Sequence, residues 1–542
     1  MQFDGSIYKR YLSYVVFDTV DNPKYNFNWA EGITVDADKK GNIKIFLSKE
    51  EETAYVLSLG KIFANEDCSN MFKKTYLDGI TFNNFDTKNT VNMSNMFNGV
   101  SGTEFLDLSC FDTSNVEQMD GMFSGCFSLE NINLSSFDTS KVINFENLFY
   151  ECYNLTALNI SSFNTSKATN FDYMFSSCKA LKNLDITNFD TSSAKSMGGM
   201  FYYCEALTDL DVSNFDTSNV TTMACMFTGC GNLKTLDLSS FNTSKVTDFS
   251  YMLSYLNSIN TLDISGFDTS NATNMEGMFV ADLKLKSIDV TAFDTSNVTN
   301  MSSMFSACDT LEEIDVTKFD TSNVTDMHRM FSECENLKTV YLSNFDTSKV
   351  TNMNYMFYDC KNLSTLDVSG FDTSNVKDMQ FMFYNCESLS KIDVSNFDTS
   401  KVTDMTRMFE NCKNLESLDL SNFDTSNVIF MIRMFADCEK IKELDLSSFD
   451  TSKVKNMYRM FYFTEKSSLE KICVSEKWTT KNVTNDAEMF YGCTKLVGGK
   501  GTTYDENKID KTYACIDAET QKGYFTLFFE MIAPPIKPPV AT

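Results

Sequence analysis

Residues suited to recognition recur at one position of a repeat. Arg329, Tyr355, Phe381, Arg407, Arg433 and Arg459 stand 26 residues apart. The same interval upstream holds Gly121, Asn147, Tyr173, Gly199, Cys225, Tyr251, Gly277 and Ser303. Arg and aromatic side chains dominate binding hot spots and attract one another by cation–π contact. Tyr358, Tyr384 and Tyr462 follow three residues on and widen the expected patch. The competing reading is long side chains snorkelling over a packed surface. His328, beside Arg329, reads as solvated.

A second row is acidic: Asp185, Asp211, Asp237, Asp263, Asp289, Asp315, Asp367, Asp393, Asp419 and Asp445. Asn133, Asn159 and Tyr341 hold the same place elsewhere. Carboxylates about 5 Å apart repel by roughly 0.8 kcal/mol per pair in water, so the row asks for a reason. One is attraction of a basic or cation-bearing ligand. The other is a solubilising row bonded to neighbouring hydroxyls such as Ser239 or Thr291.

A third column holds Cys126, Cys152, Cys178, Cys204, Cys230, Cys308, Cys334, Cys360, Cys386, Cys412 and Cys438, with Cys493 in a looser copy. Leu256 and Asp282 interrupt it. The total of 17 is odd and no C-x-x-C pair exists, so the column reads as small buried thiols rather than disulfides or metal ligands. The turn aspartates from Asp86 to Asp450 recur with Thr and, from Asp112 on, Ser behind them, and Asn164 and Asn242 replace two of them. Asp and Asn share an oxygen acceptor but not a charge, which points to capping rather than calcium. The threonine column is unbroken from Thr87 to Thr451. Such an array can suggest ice binding, but turn chemistry accounts for it.

The bulk numbers exclude several classes. Net charge is −28, the wrong sign for nucleic acid and for anionic membranes. A single histidine, His328, removes His-based catalysis and multi-His metal sites. Nucleotide loops, zinc motifs and nucleophile elbows are not found. No catalytic residue, cofactor or metal is expected. Neither a signal peptide nor an apolar run long enough to cross a membrane is apparent. Sequons such as Asn219-Val-Thr221 fall out of the repeat consensus.

The elements follow from one unit. Phenylalanine returns every 26 residues from Phe85 to Phe449, without insertion. Met301, Met304, Phe305, Cys308 and Leu311 follow the spacing of a short helix. Ile314-Asp315-Val316-Thr317 alternates as a strand. One unit is thus turn, short helix and short strand, and it buries its apolar face only by stacking. Fourteen intervals would build a parallel sheet roughly 65–70 Å long, curved because helices need more room than strands. Residues 1–59, with alternation at Ile43-Lys44-Ile45-Phe46-Leu47, read as an N-terminal cap. Residues 60–496 read as a solenoid of about 16–17 units, 497–529 as a C-terminal cap and 530–542 as a Pro-rich linker.

Leu311-x-x-Ile314-x-Val316-x-x-Phe319 has a leucine-rich-repeat skeleton. With Phe-Asp-Thr-Ser-Asn-Val-Thr-x-Met-x-x-Met-Phe-x-x-Cys it closely resembles the BspA-like leucine-rich repeat surface proteins of bacteria. The resemblance covers about residues 60–530, including Leu496-Val497-Gly498-Gly499 and Gly523-Tyr524-Phe525-Thr526. It implies a cell-surface or secreted protein with adhesive roles toward host components or other cells. The signal peptide and anchor expected of that family are not seen.

The expected fold is an α/β solenoid, a leucine-rich-repeat-like right-handed superhelix. A parallel sheet lies on one face, short helices on the other, and both ends are capped. The expected function is non-enzymatic binding of a protein or glycan partner through an extended face. A structural stalk that displays another module is the alternative.

Overall fold

A computed structural model describes residues 12–36 and 39–528, and the chain divides into two compact units, Met1–Asn271 and Ala272–Thr542. The expected Pro-rich linker at 530–542 lies outside the described residues.

The first unit opens with a five-stranded sheet. Its order is Ile33–Thr34, Ile43–Ser48, Thr53–Ser58, Tyr14–Thr19, Gly79–Phe82. Tyr14–Thr19 pairs parallel with Gly79–Phe82, placing Val15 beside Ile80 and Phe17 beside Phe82. The rings of Phe17 and Phe82 stack 5.3 Å apart. Asp18 ties this sheet together by accepting from Asn22 and Tyr25 at 2.9 Å and from Asn83 at 3.0 Å. Beyond it each repeat makes one coil. Parallel bridges step Asn92, Gln118, Asn144, Asn170, Ser196, Thr222 and Asp248, one per coil. Buried Phe97, Phe123, Phe149, Phe175, Phe201 and Phe227 stack as a ladder with centroids 5.4–5.9 Å apart.

The second unit repeats the plan. Bridges step from Asn274 through Asn300, Asp326, Asn352, Asp378, Asp404, Phe430 and Asn456 to Asn485. The phenylalanine ladder runs from Phe279 to Phe490. Glu443–Leu446, Lys471–Val474 and Phe525–Leu527 pair parallel at its end. The Trp478 ring meets Phe525 edge-on at 5.1 Å, and its indole N–H donates to the Ala514 carbonyl at 3.1 Å. Buried Asp517 holds the closing turns by accepting from Lys500 N–H at 2.8 Å, Thr502 N–H at 3.0 Å and the Thr502 hydroxyl at 2.7 Å.

The expected helices are absent among the described residues, whose only helical turns are the 3₁₀ segments Trp29–Glu31 and Lys511–Tyr513. In the Met-x-x-Met-Phe-x-x-Cys stretch, alternate N–H groups go to the next coil and those between them, Met304 and Ser306, reach Met301 O and Ser303 O three residues back, so none bonds four residues back. Met301 donates to Asp326 O, Ser303 to His328 O, Phe305 to Met330 O and Ala307 to Ser332 O. Ser303 and Ala307 have φ of 56° and 57°, outside any right-handed helix. The physical reason is spacing. Paired strands sit about 4.8 Å apart, whereas packed helices need 8–10 Å. A compact turn lets both faces of the coil hydrogen-bond at strand spacing. The curvature expected from wide helices loses its basis.

Candidate binding surfaces

The threonine column is buried, with Thr87, Thr139 and Thr451 at 0% exposure, so it offers no flat external array. In the first unit the hydroxyls of Thr113, Thr139, Thr165, Thr191 and Thr217 each bond the next coil twice. Thr113 Oγ1 donates to Asp138 O at 2.9 Å and accepts from Asp138 N–H at 2.8 Å. The cysteines of the repeat column are also internal. Each thiol of that column donates to a phenylalanine carbonyl of the preceding coil, as Cys126 does to Phe97 O at 3.2 Å and Cys334 to Phe305 O at 2.9 Å. Burial pushes Cys126 up to about 12. Among the described residues no disulfide is formed.

Both aspartate rows make turns in which the carboxylate bonds the residue two further on. Asp190 Oδ1 accepts from Ser192 N–H at 3.0 Å and its hydroxyl at 2.6 Å. Along the exposed strand row, Asp185 does the same with Thr187, Asp211 with Ser213, Asp263 with Ser265 and Asp289 with Thr291. Asp315 bonds Thr317, Asp367 bonds Ser369 and Asp393 bonds Ser395 in the same way. Asp237, Asp419 and Asp445 accept the backbone N–H of Ser239, Ser421 and Ser447. The hydroxyl and then the N–H pull Asp185 and Asp211 below the ordinary carboxylate value, although Asp211 repels Asp185 and Asp237 repels Asp211. Hydrogen bonding therefore outweighs the carboxylate repulsion at Asp185 and Asp211.

The Arg and aromatic column belongs to the turn stretch, not to a helix. Every member has positive φ: Arg329 56°, Tyr355 57°, Phe381 55°, Arg407 56°, Arg433 53° and Arg459 54°. Side chains in this region cost roughly 1–2 kcal/mol each relative to glycine. The first unit uses glycine there at Gly121 and Gly199 and carries Asn147, Tyr173, Cys225 and Tyr251 between and after them.

The column links coil to coil. The Arg329 guanidinium lies 4.8 Å over the Tyr355 ring, and Tyr355 stacks on Phe381 at 4.5 Å. Arg407 covers Phe381 at 5.4 Å, while Tyr358 and Tyr384 stack alongside at 4.9 Å. Arg433 and Arg459 both approach Tyr462, at 5.4 and 4.5 Å. The ring of His328 bonds Asp326 at 2.9 Å, which raises its basicity.

Two acids in this patch escape sequence reasoning. Buried Glu410 lies between Arg407 at 3.4 Å and Arg433 at 2.6 Å. Burial raises its pKa, against the pull of Arg407 and Arg433. Glu488 receives Arg459 at 2.5 Å. Glu410 stands in the column of Tyr358, Tyr384 and Tyr462, and a carboxylate among those types signals a buried counter-ion. Glycine and asparagine scattered through the Arg column are the readable sign of positive φ.

A family model described as "Mycoplasma protein of unknown function, DUF285" matches residues 66–184, 128–233, 195–314, 308–392 and 389–504. A comparison with curated proteins finds no match. Among solved structures the chain is similar to the functional domain of InlJ from Listeria monocytogenes, described as including a cysteine ladder. The identity is 18% over 64% of this chain and 63% of that one, with a TM-score of 0.20. It is similar to the Toll–Spatzle complex of Drosophila at 12%, over 72% and 54%, with a TM-score of 0.24. Similarity to the TLR13–ssRNA13 complex is 13%, over 82% and 70%, with a TM-score of 0.16. The match thus spans less than two thirds of the InlJ domain and of the Toll chain.

Proposed function

The chain belongs to the DUF285 family, and from that premise we propose a non-enzymatic binding protein of the BspA-like, cell-surface or secreted kind, adhesin-like in role. It engages a protein or glycan partner through the Arg and aromatic column. The observation that carries this reading is the run from Arg329 to Arg459. Six successive coils place large side chains at positive φ, where glycine costs least. Backbone strain retained at a surface is a mark of a functional constraint. The rings and guanidinium groups are preordered by mutual stacking, which lowers the entropy lost on binding.

Surface localisation is part of the same proposal. Among the described residues no helix is long and apolar enough to cross a membrane.

The test is affinity capture with the wild type and a variant carrying Arg329→Gln, Tyr355→Ser, Phe381→Ser and Arg407→Gln. Loss of a captured partner is expected, and capture unchanged for every partner would remove the column from consideration. Changing Asp367, Asp393, Asp419 and Asp445 to Asn keeps their turn acceptors and removes their charge. A salt-dependent loss of binding in that variant would assign the strand row a share.

The second reading, a stalk that displays another module, is favoured by the uniform threonine bonding from coil to coil.

A further inference from the structure

Gly121 leaves a gap in the positive-φ column of the first unit. The equivalent residues one coil before and after are Asn95 and Asn147, with φ of 57° and 56°, against 58° at Gly121. Where the missing side chain would stand, a cleft of about 320 Å³ opens, at the low end of the roughly 300–1,000 Å³ range of ligand sites. A Cβ at Gly121 would come within 2.9 Å of Asn95 Oδ1.

The walls offer donors and acceptors together. Asn95 and Asn98 line one side, and Ser124, nine-tenths buried, lines the cleft beside Gly121. Among the described residues the side chains of these three make no hydrogen bond, although each carries both donor and acceptor capacity. The carboxylates are held in place from outside. Asp120 accepts from the Ser94 hydroxyl at 2.6 Å, and Glu146 accepts from Asn170 at 3.1 Å. Tyr150 also lines the cleft, whose walls are almost wholly polar.

This chemistry selects a class of ligand. Neither Lys nor Arg lines the cleft, so an anion meets carboxylates without a counter-charge. A mainly apolar molecule would strand the amides. A hard divalent cation wants six to eight oxygens, and among the described residues no group of three or more acidic, His or Cys side chains could hold a metal. Neighbouring hydroxyls of a pyranose each donate and accept, matching amides, hydroxyl and carboxylates at once.

We propose that the Gly121 cleft is a binding site for one neutral monosaccharide unit of a glycan. It is independent of the Arg and aromatic column, which belongs to the second unit.

Saturation-transfer NMR on the full chain tests this, with methyl glycosides of glucose, mannose, galactose and N-acetylglucosamine as probes and calcium chloride as a separate arm. At least one glycoside is expected to receive saturation. Gly121→Asn fills the cleft with a residue that both neighbouring coils already accommodate at this φ, and should weaken that binding at least about tenfold. Asn98→Ala, which leaves the turn backbone alone, should weaken it as well. Silence from all four glycosides would overturn the proposal. So would binding that both variants leave intact, or calcium binding lost in Gly121→Asn while the glycosides stay silent. Variants of Arg329 and Arg407 should leave the glycoside signal unchanged, which separates failure of this site from failure of the column.

Discussion

Thr113 and Asp138, one coil apart, hold each other by two hydrogen bonds, a donated one at 2.9 Å and an accepted one at 2.8 Å. A single buried hydroxyl thus satisfies both backbone groups of its neighbour. Thr113→Val keeps the shape and strands that N–H and C=O. The expected loss is about 1–3 kcal/mol, read as a lower urea midpoint. Ser114→Ala, on the exposed turn, should change the midpoint far less.

Ser303 decides between turn and helix by the sign of one substitution. Its φ is 56°, so Ser303→Gly should relieve strain and stabilise the chain by about 0.5–1 kcal/mol. In a helix the same change would destabilise by roughly half a kcal/mol. Urea unfolding of the two proteins gives the sign.

The coil and its columns were legible in the residues because the 26-residue interval never slips between Phe85 and Phe449. Burial of the cysteines and capping by the turn aspartates were legible too, from the residue types each column tolerates. The helix was misread because Met301, Met304, Phe305 and Cys308 keep helical spacing while lining a stack of turns. Periodicity reports which side chains face inward, not where backbone N–H groups go. The Glu410–Arg433 pair was hidden because its partners occupy different columns of adjacent coils. The double bonding of Thr113 is not legible in one repeat, because both partner groups belong to the next coil.

The carboxylates predict opposite pH responses. Hydrogen bonds from Ser192 hold Asp190 below its ordinary value of 3.8. A lowered folded value means the unfolded chain binds the proton more tightly. Stability is then present above the ordinary range and lost as pH falls through the folded value. Many turn aspartates share this shift, including Asp216, Asp346 and Asp398, so steep acid unfolding is expected below about pH 4. Asp190→Asn retains the acceptor, as Asn164 does toward Ser166, and should reduce that slope. Glu410 runs the other way. Its folded value lies above 4.5, so its share of stability falls as pH rises through that value, and Glu410→Gln should remove this component. Urea midpoints across pH 2–7 check both signs.

Alkylation separates the thiols. Iodoacetamide at pH 8 should modify exposed Cys110 and the half-exposed Cys225 and Cys515 in the native chain. Cys126, Cys178 and Cys230, pushed up to about 12 by burial, should react only after denaturation. Mass spectrometry of digests reads the pattern.

In the second unit each repeat makes one coil, and successive coils bridge in parallel at one strand spacing. Spin labels on genetically encoded residues at Asp315 paired with Asp393, Asp419 or Asp445 measure that advance within the second unit by dipolar spectroscopy. Separations of about 14, 19 and 24 Å are predicted, rising by about 4.8 Å per coil. Separations that do not rise in equal steps, or that exceed these by tens of ångströms, would contradict it.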